Sequence, residues 1–328
     1  MKCIFCLKEC EPSDEHVFPD AIGGKLVIDR VCLPCNNWLG THVDALLTDQ
    51  ALVLLKRALL KMRDSKGNVI DPWTKVFQIG VLASDSEQKV KLLPDATTGQ
   101  LTPHLIYKRT VLNASDNGNH TVQITIDAQQ TDEIGKIIQR ERKRSGKPPL
   151  SNDDLNAQIE AAKSNSNDIE NPEIIFNPEI DIQNYMRAIS KIAYELAWLW
   201  LGDEYLDDPV AEKLRKFVLE NSRDEIRGRV ELGVIEPLNL WNQETNAHIG
   251  LSMQVKNNIA ISIRIFDSIS AVIGVSETSD KYPNFCGPSQ FGRFVLNDPL
   301  TGVVRGTTLA DELYRMSQSN NGHIPENY

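Results

Sequence analysis

The sequence predicts an α+β fold: a small cysteine-framed module at the N-terminus, then a larger mixed body with antiparallel hairpins and central helices. Three observations carry this. Five of the six cysteines lie in the first 35 residues, four of them as two CxxC pairs, Cys3 with Cys6 and Cys32 with Cys35. From Ile182 to Trp200 apolar residues recur at three- and four-residue steps, the period of an amphipathic helix. Ile249, Leu251, Met253 and Val255 alternate with their neighbours, as do Ile259, Ile261, Ile263 and Ile265, the period of a strand.

In chain order, residues 1 to about 44 form the cysteine-rich module. Val43 to Met62 is Leu- and Ala-rich and reads as one buried helix. A loop follows, then strands at Val76–Leu82, Val90–Leu93, Leu105–Leu112 and Thr121–Asp127, with Asn117-Gly118 as a hairpin turn. Thr131 to Lys163 is helical in pattern, broken at Gly146 to Pro149, and 163–178 reads as a linker. Gly202 is expected to end the helix that begins near Ile182. Asp208 and Pro209 open another, running to Asn221. The hairpin around Lys256-Asn257-Asn258 and strands at Ala271–Val275 and Phe291–Leu296 complete the body, and the tail from Ser317 is expected to fray. The expected division is 1–62 and 63–328.

Composition sets the bounds. Of 328 residues, 41% are hydrophobic and 24% charged, which excludes collagen-like, coiled-coil and wholly disordered chains. No apolar stretch approaches the roughly 20 residues that span a bilayer, and the N-terminus lacks the apolar core of a signal peptide. The expectation is a cytoplasmic protein without a membrane partner. A net charge of −10 argues mildly against a nucleic-acid binder, although a local basic patch and bound metal supply attraction where bulk charge does not.

Each CxxC pair aims two thiolates at one point, and two such pairs supply the four tetrahedral ligands of a structural zinc ion. Cys3, Cys6, Cys32 and Cys35 are therefore the candidate zinc ligands, with 25 residues between Cys6 and Cys32. Cys10 could replace one of them, though its spacing fits less well. Cys286 reads as a small core residue.

Between the pairs lie Glu15-His16-Val17-Phe18-Pro19 and Gly23-Gly24; after them come Asn36-Asn37 and Gly40. This combination resembles the HNH endonuclease family, in the variant whose ββα-metal motif is framed by four cysteines. The resemblance runs from Cys3 to about Asp44. It implies a metal-dependent endonuclease that hydrolyses DNA phosphodiester bonds, with DNA as substrate. His16 matches the general base that takes a proton from water, and Glu15 and Asn36 match the ligands of a catalytic divalent cation. Hard oxygen ligands favour Mg2+ or Mn2+, and the products would carry 5′-phosphate and 3′-hydroxyl ends. Asn37 is the adjacent alternative to Asn36. The middle Asn of the motif, which orients the His, has no counterpart here; Asp29 or a backbone carbonyl is the candidate substitute.

Phe5, Val17, Phe18, Ile22, Val31 and Leu39 are the candidate module core. The module carries four basic residues against seven acidic ones, so grip on DNA must come from elsewhere. Arg140, Arg142, Lys143, Arg144 and Lys147 are the candidate phosphate contacts, although a solvated helix face is the commoner meaning of such a run. The body is expected to supply specificity, regulation or oligomer contacts, in a bacterial or phage-encoded protein of restriction or anti-phage defence. The alternative is a non-catalytic zinc module that binds nucleic acid or protein, with function residing in the body.

Overall fold

The computed structural model describes the chain except for residues 65, 96–97, 113–120, 128–130, 165–168, 170, 179, 234, 284, 286–291 and 320–328. Two compact units emerge, Met1–Ile70 together with Ile180–Tyr328, and Asp71–Glu179. The cysteine-rich module thus shares a unit with the C-terminal part of the chain. Cys286 and the Asn117-Gly118 turn lie outside the described residues. Among the described residues, no helix is long and apolar enough to cross a membrane.

The module begins with an antiparallel pair, β1 (Ser13–His16) and β2 (Val27–Val31), with Glu15 opposite Ile28 and His16 opposite Val27. The register slips between Ser13 and Glu15, where one residue of β1, Asp14, stands opposite two of β2, Asp29 and Arg30, so the extra residue of the bulge is on β2. The connection needs both its glycines. A Cβ on Gly23, whose φ is +81°, would lie 2.4 Å from Cβ of Pro299, and one on Gly24 would lie 1.7 Å from the Phe18 carbonyl oxygen. Helix α1 (Leu33–Leu39) has Cys32 at its N-cap and Pro34 in its first turn. It runs through a wider turn over Gly40–Asp44, where the Ala45 N–H reaches back to the Gly40 carbonyl, into α2 (Ala45–Thr48).

The single helix expected from Val43 to Met62 is therefore interrupted. Gln50 takes an extended conformation and opens α3 (Ala51–Leu59). Buried Arg57 donates to the Thr48 carbonyl at 3.0 Å, satisfying a group that the break leaves without a helical partner.

The second unit contains α4 (Pro72–Lys75), β3 (Ile79–Leu82), β4 (Asp85–Pro94), β5 (Leu101–Leu105), β6 (Lys108–Leu112), β7 (Thr121–Thr125), α5 (Thr131–Arg144), α6 (Asn152–Ser164) and β8 (Ile174–Ile175). Its sheet has the order β5-β4-β3-β8, and β6 and β7 form a separate hairpin. The strand expected from Val76 starts later because Asp71 caps a helical turn with Pro72 in its first turn, accepting from the Trp73 N–H. The strand expected over 105–112 divides into β5 and β6. The expected linker holds β8, which pairs with Val81 and Leu82 on β3.

The chain then returns to the first unit with α7 (Ile182–Leu201), capped by Asp181 accepting from the Asn184 N–H and ended by Gly202 at φ +83°. Helix α8 (Pro209–Glu220) starts at Asp208, whose carboxylate accepts from the Val210 N–H, as the sequence indicates. The strands β9 (Val230–Leu232), β10 (His248–Val255), β11 (Asn258–Ile265), β12 (Ile269–Ser276), β13 (Arg293–Asn297) and β14 (Val304–Thr308) form one antiparallel sheet, ordered β14-β13-β10-β11-β12-β9. The hairpin at Lys256 is as expected. Helix α9 (Leu309–Ser319) covers the start of the tail that was expected to fray.

Helix α7 lies at the centre of this unit. It packs on β11 and β12, on α8, and on α2 and the wide turn of the module. The module core (Phe5, Val17, Phe18, Ile22, Val31 and Leu39) is buried as expected, and it is continuous with that of α7, α8 and the sheet. A module of this size cannot exclude water from a large core alone, and α7 supplies the missing wall.

Candidate nuclease centre

The four cysteines of the two CxxC pairs converge. The sulfurs of Cys3, Cys6, Cys32 and Cys35 all lie within 4.8 Å of one another, with Cys6 Sγ 3.8 Å from Cys32 Sγ. Zinc–sulfur bonds of about 2.3 Å in a tetrahedron place the sulfurs about 3.8 Å apart, so the quartet fits zinc. Burial alone would raise the Cys3 thiol, but backbone N–H groups of Cys32, Cys6 and Phe5 outweigh it and lower it. Burial raises Cys6 and Cys35, and the neighbouring sulfurs add to both. Four thiolates gathered without a cation repel one another, and a divalent ion removes that cost. Cys10 stands apart, its thiol donating to the Met1 carbonyl.

Glu15 and His16 are neighbours at the end of β1, and successive strand residues point to opposite faces. The Glu15 side chain is 2% exposed and turns into the core, whereas that of His16 is 33% exposed. Asp20 Oδ1, itself held by Lys25 at 2.8 Å, lies 3.9 Å from His16 Nε2, beyond hydrogen-bond distance.

Beneath the dipeptide lies a group absent from the sequence reading. Lys191 of α7 is fully buried, and its Nζ is 2.5 Å from Glu15 Oε1, 3.3 Å from Glu195 Oε2 and 3.5 Å from Asp44 Oδ1. It also donates to the His16 carbonyl at 2.7 Å. Burial would lower the lysine, but Asp44, Glu195 and Glu15 overcome it and raise it. One ammonium cannot satisfy three carboxylates, two of them buried and the third, Asp44, nearly so. Burial, with Glu15 adding to it, pushes Asp44 up to about 6 and Glu195 well above the usual carboxylate range, although Lys191 acts in the opposite sense on both.

Asn36 lies on α1, and its amide donates to the Asp14 carbonyl at 2.7 Å and to Ser13 Oγ at 3.3 Å. It thereby ties the helix to β1 at the point where the register slips. Asp29 is exposed on β2, and no hydrogen bond from it to the His16 ring is among the described contacts. The carbonyls on both sides of Glu15 are held by side chains, Asp14 by Asn36 and His16 by Lys191. As donors, Glu15 and Asn36 offer hard oxygens of the kind magnesium or manganese takes. Glu15 Oε1 is already paired with Lys191, so an ion there shares or displaces that ammonium. Among the described residues, the cysteine quartet is the only group of three or more His, Cys, Asp or Glu side chains close enough to share an ion.

Further contacts lock the module to the rest of its unit. Asn297 accepts from the Lys25 N–H at 2.6 Å and donates to the Gly23 carbonyl at 2.9 Å. His248 donates from Nε2 to the Ile22 carbonyl at 2.8 Å and stacks on Phe18. Its pKa is lowered to about 4, chiefly by burial, against smaller raising effects of the Ile22 carbonyl and Asp298. The Tyr194 hydroxyl donates to the Ile4 carbonyl, and Arg30 pairs with Asp203.

The basic run falls in the second unit. Arg144 pairs with Glu141 at 2.6 Å, and Arg142 Nε donates to the Pro148 carbonyl. Arg140 lies over the Tyr107 ring, while Lys143 and Lys147 are exposed. His42 bonds the Trp38 carbonyl and stacks on that ring, as a plain helix residue does. A pocket of about 280 Å³ lined by Asn239, Trp241, Glu244, Arg315 and Met316 lies in the first unit. That is just below the roughly 300 Å³ at which ligand pockets begin.

Sequence reasoning missed Lys191, Glu195 and Asp44. A signal for the first two was present: a lysine and a glutamate four residues apart inside a helix apolar on nearly every side.

Residues 3–52 match the model of a family described as HNH endonuclease. No curated protein and no solved structure matches the chain.

Proposed function

We propose that this protein, whose residues 3–52 form an HNH endonuclease module, hydrolyses phosphodiester bonds of DNA. The family match over those residues carries the reading, and the cysteine quartet and the solvent-reachable His16 at the end of β1 support it. His16 acts as general base, taking a proton from the attacking water. Asn36 and Lys191 hold the backbone from which the imidazole projects. Glu15 and Asn36 are the proposed holders of a magnesium or manganese ion, which when bound would stabilise charge on the departing 3′ oxygen. Zinc in the cysteine quartet would tie α1 to the N-terminal loop. The remaining residues supply specificity or regulation, with Arg140, Arg142, Lys143, Arg144 and Lys147 as proposed backbone contacts and restriction or anti-phage defence as the proposed setting.

A second reading, a zinc module that binds nucleic acid or protein without cutting it, draws on one observation, the engagement of Glu15 by Lys191. Cleavage of supercoiled plasmid with magnesium or manganese, beside His16→Ala, decides between them. Cleavage lost in the variant with zinc still bound supports the nuclease. Equal cleavage by both proteins removes His16 from the mechanism, and DNA binding without cleavage favours the second reading.

A further inference from the structure

We propose that Lys191 is a positioning residue of the nuclease centre, fixing the Glu15–His16 dipeptide from a helix 175 residues away in sequence. The inference rests on the nuclease reading above.

An ammonium has three donors and no acceptor. The two shortest contacts of Lys191 go to adjacent residues, the Glu15 carboxylate at 2.5 Å and the His16 carbonyl at 2.7 Å. Holding a side chain on one face of the strand and the carbonyl of the next residue fixes the backbone between them. The direction in which the His16 imidazole leaves the opposite face is fixed with it. Asn36 holds the Asp14 carbonyl from the other side, so the strand end is gripped on both sides of Glu15. The grip is stiff because α7 is buried along most of its length, with Tyr185, Ala188, Ile189, Ile192, Ala193 and Leu196 all inaccessible to solvent or nearly so.

Packing alone does not account for a lysine here. A methionine would fill the same space without taking a charge out of water, and a buried ion pair is a poor source of stability compared with well-packed apolar side chains. Such a pair does impose one geometry. The carbonyl contact is the telling part, since neutralising Glu15 does not require Lys191 to reach the backbone of the next residue.

The test uses the full chain and four proteins: wild type, K191M, E195Q and K191M/E195Q. Glu195 faces Lys191 from its own helix and touches neither Glu15 nor His16 in any described contact, so E195Q disturbs the cluster while leaving the grip. Plasmid nicking in magnesium gives kcat and KM. Nitrogen-15 labelling of the histidines gives the His16 imidazole signals, identified by their loss in His16→Ala.

We expect K191M to lose about 100-fold in kcat with little change in KM, the scale on which a small misplacement of a catalytic group acts. Its His16 signals should shift, while E195Q keeps both the wild-type kcat and the wild-type signals. If K191M does not fold, K191M/E195Q, in which a lost cation is matched by a lost carboxylate, is compared with E195Q instead.

The proposal is overturned if folded K191M keeps the wild-type kcat, or if K191M and E195Q fall alike, which is a structural effect. A rise in kcat also overturns it, because Lys191 would then be withholding Glu15 from a metal ion. If the wild type cuts nothing, the nuclease reading fails and the imidazole signals alone decide: a shift in K191M but not in E195Q supports the grip, and unchanged signals refute it.

Discussion

Acid should loosen the module from the sheet through one histidine. His248 is enclosed by Phe18 and Phe266, donates from Nε2 to the Ile22 carbonyl and accepts the Phe266 N–H at Nδ1. A second ring proton would therefore face an N–H group, in a site closed to solvent. Its pKa falls from the ordinary 6.5 to about 4, with burial the main cause. The unfolded chain takes up a proton below about pH 6.5 that the folded chain refuses until about pH 4, so stability falls as pH falls through this window. The loss amounts to about 2 kcal/mol by about pH 5 and about 3 kcal/mol at the low-pH limit.

Asp44 acts in the opposite sense. Its pKa is raised to about 6 by burial, so the folded state gains a proton first, and acid there stabilises. The wild-type slope alone therefore mixes the two. Urea unfolding of wild type and His248→Gln at about pH 7.5 and about pH 5 separates them, since Gln keeps a donor and an acceptor but does not titrate. The wild type should lose about 2 kcal/mol more than the variant between the two conditions. Equal losses in both proteins would refute the argument that His248 is held neutral by its surroundings.

Two further outcomes follow from the same geometry. Gly24→Ala places a methyl group against the Phe18 carbonyl, so the hairpin connection must shift; we expect a loss of about 3 kcal/mol or more in denaturant unfolding, far above an ordinary surface Gly→Ala change. Cys32→Ser, or a strong chelator, should remove one zinc per chain measured by metal analysis and lower the melting temperature, because the ion ties α1 to the N-terminal loop. Unchanged stability after complete zinc loss would mean that the α7 wall alone holds the module.

Much of the candidate site was legible because its signals are local. Two thiols separated by two residues point to one place whatever surrounds them, and Gly23-Gly24 marks a turn. Helices α7 and α8 were legible from their period and caps, since Asp208, Pro209 and Gly202 act on their own neighbours. The break at Gln50 was not legible. Val43 to Met62 has helix-forming residues throughout, and the interruption depends on Arg57 meeting the Thr48 carbonyl inside the core. Strand β8 was hidden for a related reason: two isoleucines in a polar stretch become a strand only when the edge of β3 accepts them.

What the sequence alone determined is the chemistry on offer: a cysteine quartet spaced for zinc, a histidine beside a carboxylate, and an asparagine at the start of a helix. What only the tertiary structure decided is where those groups point. Alternation along β1 sends Glu15 inward, and what it meets there depends on which helix closes the module. Chain order does not reveal that helix, because the covering surface comes from residues more than a hundred positions away and is selected by burial of a shared core. Once α7 takes that place, Lys191 is carried under the strand end, where it meets the Glu15 carboxylate and the His16 carbonyl.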